Sequence, residues 1–118
     1  YFEFYEDELK PIFFKPVDSL LHFNLEVLDL VCELLDLKIK YTFTTEYFKN
    51  PNQQDLRYLV NPKLKIDFKL DSYFQVLNKQ YEFLSNLSIL DLLFNEGPNA
   101  VIYLENQKTE FNNFNPNQ

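Results

Sequence analysis

The first two segments of the chain have helical spacings of apolar residues. In residues 1–14 apolar side chains recur every three or four positions, which predicts a short helix. Pro11 is expected to break or kink this helix, and Pro16 to end the segment. Residues 16–37 predict a longer helix, with six polar residues inside an arc of about 80°. Because nearly all its other positions are apolar, this helix is expected to form the centre of the core.

Two later runs alternate between apolar and polar residues. Residues 38–44 and 63–70 place aromatic and branched side chains at every second position, a pattern typical of β-strands. Residues 53–60, between Pro51 and Pro62, predict a short helix, so the strands would pair in parallel through a right-handed crossover. The expected fold is therefore a helix-rich α/β domain, with a small two- to three-stranded sheet packed on the long central helix. A mainly α fold is the alternative.

The last segment before the tail predicts helices separated by the only glycine. Residues 73–77 predict a short turn, and Asn86 is a candidate cap for a helix over residues 87–95. Gly97 and Pro98 are structural candidates that stop this helix, and a final helix is expected over residues 99–105. We expect one domain over residues 1–106 and a frayed polar tail over residues 107–118.

Composition excludes several classes of function. The net charge of the 118 residues is -7, from 18 acidic and 11 basic side chains, which counts against nucleic acid and anionic membranes. One glycine excludes a glycine-rich phosphate loop, and one cysteine excludes an internal disulfide or a Cys-rich zinc site. The sequence has no apolar run long enough for a membrane span and no signal peptide, so a cytoplasmic location is expected.

The single histidine limits metal and nucleophilic chemistry. His22 lies beside Asp18 and Glu26 on the polar stripe of the predicted second helix, where a solvated pair is the favoured interpretation. We therefore expect no metal and no cofactor.

Polar residues that interrupt apolar faces are the candidate site. Ser88, Asp91 and Asn95 share an arc of about 60° on the predicted helix over residues 87–95. They would line a cleft in which Asp91 accepts hydrogen bonds from substrate hydroxyls or amines; an ordinary solvent-facing stripe is the alternative. Asn24 lies on the apolar face of its helix, where a buried amide needs partners, although it could simply hold a neighbouring loop.

One segment carries a family resemblance. Residues 83–100, FLSNLSILDLLFNEGPNA, resemble the C-terminal hallmark of the WbqC-like protein family. The start YFEFYEDE, the run Phe23-Asn24-Leu25 and the pair Tyr73 and Gln75 also fit that family. Members usually carry a preceding segment with a His-Gln-Pro-x-Tyr-x-Pro type of start. This chain lacks that start and an initiator methionine, so we expect it to be the C-terminal part of a longer protein.

The resemblance implies a transferase-type role in bacterial surface-polysaccharide biosynthesis, notably of O-antigen. A nucleotide-sugar or another small molecule would be the substrate. Ser88, Asp91 and Asn95 would position an activated sugar or amine acceptor, supported by Asn24 and Gln75. Two alternatives stay open. The chain could be a non-catalytic binding or scaffold domain that docks a protein partner on an aromatic surface, since 18% of its residues are aromatic. Otherwise, the catalytic residues would lie in a preceding N-terminal part.

Overall fold

The protein is mainly helical. The computed structural model describes residues 1–64, 66, 68–76 and 82–108. Its α-helices are α1 (Phe2–Phe14), α2 (Leu20–Leu34), α3 (Ile89–Glu96) and α4 (Ala100–Asn106), with 3-10 turns at Arg57–Val60 and Gly97–Asn99. The described residues contain no strand, so the predicted α/β fold with a two- to three-stranded sheet is wrong and the mainly α alternative describes the molecule.

The first predicted strand is an exposed segment without secondary structure. Every residue of 38–44 is exposed, and the Tyr41 hydroxyl donates to the Asp29 carboxylate at 3.1 and 3.2 Å. A side chain therefore fastens this segment to α2 where a strand ladder was expected. Alternating apolar residues produce a strand only where a second backbone edge is available to pair with it.

The second predicted strand bends instead of running straight. Lys65 and Asp67 lie outside the described residues, but the rest of 63–70 has no strand assignment. The amide of Leu70 donates to the carbonyl of Phe68 at 3.0 Å, which closes a three-residue turn. Of the predicted helix over residues 53–60 only the Arg57–Val60 turn forms. The predicted parallel crossover is therefore wrong as well.

Helix α1 continues through its proline. Pro11 removes one amide donor, yet α1 extends to Phe14 and the amide of Lys15 donates to the Pro11 carbonyl at 3.0 Å. Only one helical turn follows Pro11, and Leu9 is buried just before it. Packing of this face compensates for the missing hydrogen bond, so Pro11 does not end the helix.

Helix α2 has defined signals at both ends. The Ser19 hydroxyl accepts from the amide of His22 at 3.4 Å. At the C-terminal end Asp36 has a positive φ of 53°, and the amide of Leu37 donates to the Cys32 carbonyl at 2.8 Å. The amide of Asp36 donates to the Glu33 carbonyl, which completes a Schellman motif.

The core lies around α3 and not around α2. Leu92, Leu93, Leu35 and Ala100 form the buried cluster, and Leu93 is completely inaccessible to solvent. Cys32 is the buried residue of α2, whereas Leu20 is 71% exposed. The expectation of a central, widely covered second helix is therefore wrong, because the strands that would have covered it do not form.

Helix α1 packs against α3 at their facing ends. The rings of Phe2 and Phe94 meet edge to face with centroids 5.3 Å apart. The backbone nitrogen of Tyr1 donates to the carbonyl of Phe94 at 2.7 Å, and the Tyr1 ring lies over Gly97. This packing places the C-terminal end of α3 beside the start of α1.

The chain past α4 is anchored at its first residue. The Gln107 side chain accepts from the amide of Asp71 at 2.9 Å and donates to the carbonyl of Tyr103 at 2.8 Å. Residues 109–118, most of the predicted frayed tail, lie outside the described residues.

Candidate functional site

Helix α3 positions the carboxylate at the centre of the candidate site. Ser88 and not Asn86 caps the helix, its hydroxyl accepting from the amide of Leu90 at 3.3 Å. Asn86, with a positive φ of 56°, precedes the helix. Asp91 and Asn95 are four residues apart and so lie on one face of α3. The Asn95 side-chain amide donates to the Asp91 carbonyl at 2.7 Å and to Asp91 Oδ1 at 3.3 Å.

The segment over residues 71–76 brings two more side chains to Asp91. The Tyr73 hydroxyl donates to Asp91 Oδ2 at 2.6 Å, and Gln75 Nε2 donates to the same oxygen at 3.1 Å. The amide of Val76 donates to Asn95 Oδ1 at 3.1 Å. We call the four side chains of Tyr73, Gln75, Asp91 and Asn95 the Asp91 cluster.

Gln75 is the buried polar residue of the described chain, at 5% exposure. Its Oε1 accepts from the amide of Leu84 at 3.0 Å, and its Nε2 donates to the carbonyl of Leu84 at 2.9 Å. This pair of hydrogen bonds imitates a strand pairing between residues 75 and 84. Gln75 therefore ties two segments without secondary structure to each other and to Asp91.

Two aromatic rings pack against Tyr73. Its ring meets the rings of Phe83 and Tyr103 edge to face, with centroids 5.2 and 5.1 Å apart. Burial, followed by the hydrogen bond to Asp91, raises the pKa of Tyr73 to about 12. The phenol therefore stays protonated at physiological pH and donates to the carboxylate.

Of the predicted site residues, the structure joins three and separates two. Gln75, Asp91 and Asn95 share one hydrogen-bonded cluster. Ser88 lies at the first turn of the same helix, where its hydroxyl is used as the cap. Asn24 is exposed on α2, and no hydrogen bond joins it to the cluster. The predicted buried amide of Asn24 is therefore wrong, since the apolar face of α2 is largely uncovered.

Tyr73 is the cluster member that the candidate list omitted. The sequence signal for it is its spacing of two from Gln75, because alternate residues of an extended chain point to the same side. Gly97 and Pro98 lie at the end of α3, where Gly97 has φ 55° and ψ −126°. The φ is positive but the ψ lies outside the left-handed helical region, and Gly97 leads through a 3-10 turn directly into α4.

The lone histidine has no ligand set around it. His22 is exposed, and its neighbour Glu26 pairs with Lys15 at 2.5 Å. Among the residues that the structure describes, no three His, Cys, Asp or Glu side chains come close enough to share a metal ion. The described helices also include none with both the length and the apolar character needed to cross a bilayer.

Comparison of this chain with protein-family models, with curated proteins and with solved structures gave no match.

Proposed function

We propose that this chain is part of a cytoplasmic transferase-type protein of bacterial surface-polysaccharide biosynthesis, and that the Asp91 cluster lines its substrate site. The resemblance of residues 83–100 to the WbqC-like family supports the class of function. Asp91 and Asn95 lie inside that segment. Gln75 lies outside it in the sequence, but its side chain donates a hydrogen bond to Asp91.

The hydrogen-bonding capacity of Asp91 carries the proposal. Its Oδ2 accepts from Tyr73 and Gln75, whereas among the described residues Oδ1 accepts one long bond of 3.3 Å, from Asn95. An ionised carboxylate can accept about four hydrogen bonds. Since Asp91 is half-buried and not sealed from solvent, Oδ1 retains room for a donor. A sugar hydroxyl or an amine of the acceptor supplies such a donor.

The hydrogen-bonding partners of Asp91 set the direction in which its Oδ1 faces. Tyr73, Gln75 and Asn95 hold the carboxylate from three sides, so its orientation is fixed before a substrate arrives. A preorganised acceptor loses less conformational entropy on binding than a mobile one. Ser88 contributes by fixing the first turn of α3.

Replacing the carboxylate while keeping its shape tests the proposal. In a strain deleted for the gene, we expect the full-length protein with Asp91→Asn to restore little surface polysaccharide, although the protein accumulates and remains helical. Asp29→Asn is the matched control, because Asp29 also accepts from a tyrosine hydroxyl, that of Tyr41. If Asp91→Asn restores the polymer as well as the wild type and Asp29→Asn do, the proposal is rejected.

An apolar groove favours a second candidate function, a binding or scaffold domain. Helices α1 and α3 enclose a groove of about 450 Å³. Its apolar lining consists of Phe2, Leu9, Phe13, Phe14, Leu90 and Phe94. Phe13 is 72% exposed there. Grooves between helices commonly accept the apolar face of a partner helix.

A pair of phenylalanines on one helix tests this second function. Phe13 lies in the groove, whereas Phe4 is about 180° away around α1 and equally exposed. A partner that occupies the groove would copurify with the wild type and with Phe4→Ala, but not with Phe13→Ala. Equal recovery with all three proteins would contradict the binding role of the groove.

A further inference from the structure

The loop before the Arg57–Val60 turn presents an aromatic ring on a fixed support. Tyr47 is 80% exposed, yet one face of its ring is covered by the guanidinium carbon of Arg57, 5.1 Å from the ring centroid. A guanidinium stacked on an aromatic face is a favourable cation–π contact. The ring is therefore held from one side while its other side is open to solvent.

Hydrogen bonds hold the Arg57 guanidinium in place under the Tyr47 ring. Arg57 Nε and Nη2 donate to the two carboxylate oxygens of Asp55 at 2.8 and 2.5 Å, and Nη2 also donates to the carbonyl of Lys49 at 3.3 Å. This bidentate contact orients the plane of the guanidinium on which Tyr47 rests. The Arg57 guanidinium lowers the pKa of Asp55 to about 2, so the pair stays ionised at physiological pH.

A cavity of about 820 Å³ opens beside this ring. Its lining includes six residues with hydroxyl, amide or carboxylate side chains, namely Thr44, Thr45, Glu46, Asn50, Asn52 and Gln53. Phe48, half-exposed, adds a second aromatic surface. The site thus combines aromatic surface with hydroxyl and amide groups that can donate and accept hydrogen bonds, a composition found in small-ligand sites.

The chemistry of this lining selects among ligands. A phosphate is disfavoured, because the guanidinium of the cavity is already neutralised by Asp55 and Glu46 adds a negative charge. An apolar peptide would leave the lining amides and hydroxyls without partners. A pyranose ring fits both features of this lining. Its face of C–H groups can stack on an aromatic ring, and the hydroxyls around its edge can pair with amides and carboxylates.

We propose that the Tyr47 loop binds neutral glycans, with a pyranose ring stacked on the open face of Tyr47. The hydroxyls of that ring bond to the amide side chains of Asn50, Asn52 and Gln53. This site lies on a different segment from the Asp91 cluster. It stands on its own geometry whether or not Asp91 contacts a substrate.

Titration of the protein with simple glycosides tests this proposal. Methyl glycosides of glucose, galactose, mannose and N-acetylglucosamine serve as probes, with uridine and inorganic phosphate as the competing chemistries. We expect at least one glycoside to shift the amide resonances of residues 44–57 with an affinity in the millimolar range, and uridine and phosphate to shift them less. The proposal is overturned if no glycoside shifts these resonances, or if uridine or phosphate binds there more tightly than every glycoside.

Variants separate stacking from unspecific contact. We expect Tyr47→Ala to weaken glycoside binding about tenfold, in line with the loss of one aromatic contact, while Tyr47→Phe retains most of it. Asp55→Asn, which releases the clamp on Arg57, should weaken binding severalfold. Phe43→Ala removes a comparably exposed ring outside the cavity and should leave the affinity unchanged. Equal affinity of Tyr47→Ala and wild type would also refute the proposal, provided that the remaining amide spectrum is unchanged.

Discussion

The hydroxyl of Tyr73 donates to Oδ2 of Asp91 at 2.6 Å, joining residues 18 positions apart. Near it, the Tyr103 hydroxyl donates to the carbonyl of Asp71 at 2.5 Å. Side chains therefore hold the segment over residues 71–76 against α3 and α4, without a strand ladder among these residues. The stability of this segment depends on the protonation state of the phenols and on individual polar side chains.

Alkaline pH should weaken the contact between Tyr73 and Asp91. The pKa of Tyr73 is about 12 in the folded protein and about 10 in the unfolded chain. Between these values the unfolded chain releases the phenolic proton while the folded protein keeps it, so deprotonation favours unfolding. The contribution of Tyr73 to the free energy of unfolding is therefore complete below pH 10 and is lost as the pH rises through about 12.

Tyr73→Phe isolates this contribution from those of the other tyrosines. At neutral pH we expect the variant to be less stable by about 1 kcal/mol, the usual value of one hydrogen bond. The difference from the wild type should shrink between pH 10 and 12 in urea unfolding followed by circular dichroism. Parallel stability profiles of the two proteins over this range would contradict the assignment.

Among the residues that the structure describes, Gln75 should be the polar position most sensitive to substitution. Gln75→Leu removes the hydrogen bonds that the buried Gln75 side chain makes to the backbone of Leu84 and to Asp91, and we expect a loss of about 2–3 kcal/mol in the free energy of unfolding. Gln53→Leu makes the same change at an exposed position and should alter stability by less than about 0.5 kcal/mol. Equal effects in urea unfolding would show that the contacts of Gln75 with Leu84 are not needed for folding.

The sequence predicts the helices better than the segments between them. Three- and four-residue spacings locate α1 and α2, and the segment around Asp91 locates α3. The strands fail because alternation in residues 38–44 describes one chain, whereas a strand also needs a paired backbone that no local pattern specifies. Once those strands are absent, the apolar face of α2 has little to cover it, and its role at the centre of the core fails with them.

In the candidate site, too, the sequence predicts the helical residues better than those of the segments between helices. The helical spacing of Asp91 and Asn95 is a local property and places both on one face of α3. The contacts of Tyr73 and Gln75 with that face depend on the path of an irregular segment, which spacing does not determine. The prediction for Asn24 is wrong because it assumed that a neighbouring segment would cover this side chain, whereas Asn24 is exposed.

Gly97 should tolerate no side chain without loss of stability. Its φ of 55° favours glycine, and an added Cβ would lie 2.6 Å from Cγ of Tyr1. We expect Gly97→Ala to lower the free energy of unfolding by about 1–3 kcal/mol, from backbone strain together with the steric clash.

A double mutant separates these two causes. In a Tyr1→Ala background the clash is gone, so the cost of Gly97→Ala should fall to the backbone component alone. Thermal unfolding of the four proteins measures both costs. If Gly97→Ala were neutral in either background, the positive φ would not be required by the connection between α3 and α4.

Ser88 should act through the start of α3. Its hydroxyl accepts the amide hydrogen of Leu90 at 3.3 Å, so Ser88→Ala should cost about 1 kcal/mol, the usual cost of losing an N-cap. Ser88→Asp supplies another capping oxygen and a charge that suits the helix N-terminus, and it should restore the stability. Urea unfolding measures both variants, and the deletion strain reports whether Ser88→Asp still supports polysaccharide assembly. Normal stability with lost assembly would show that the hydroxyl itself meets the substrate and would contradict a capping role alone.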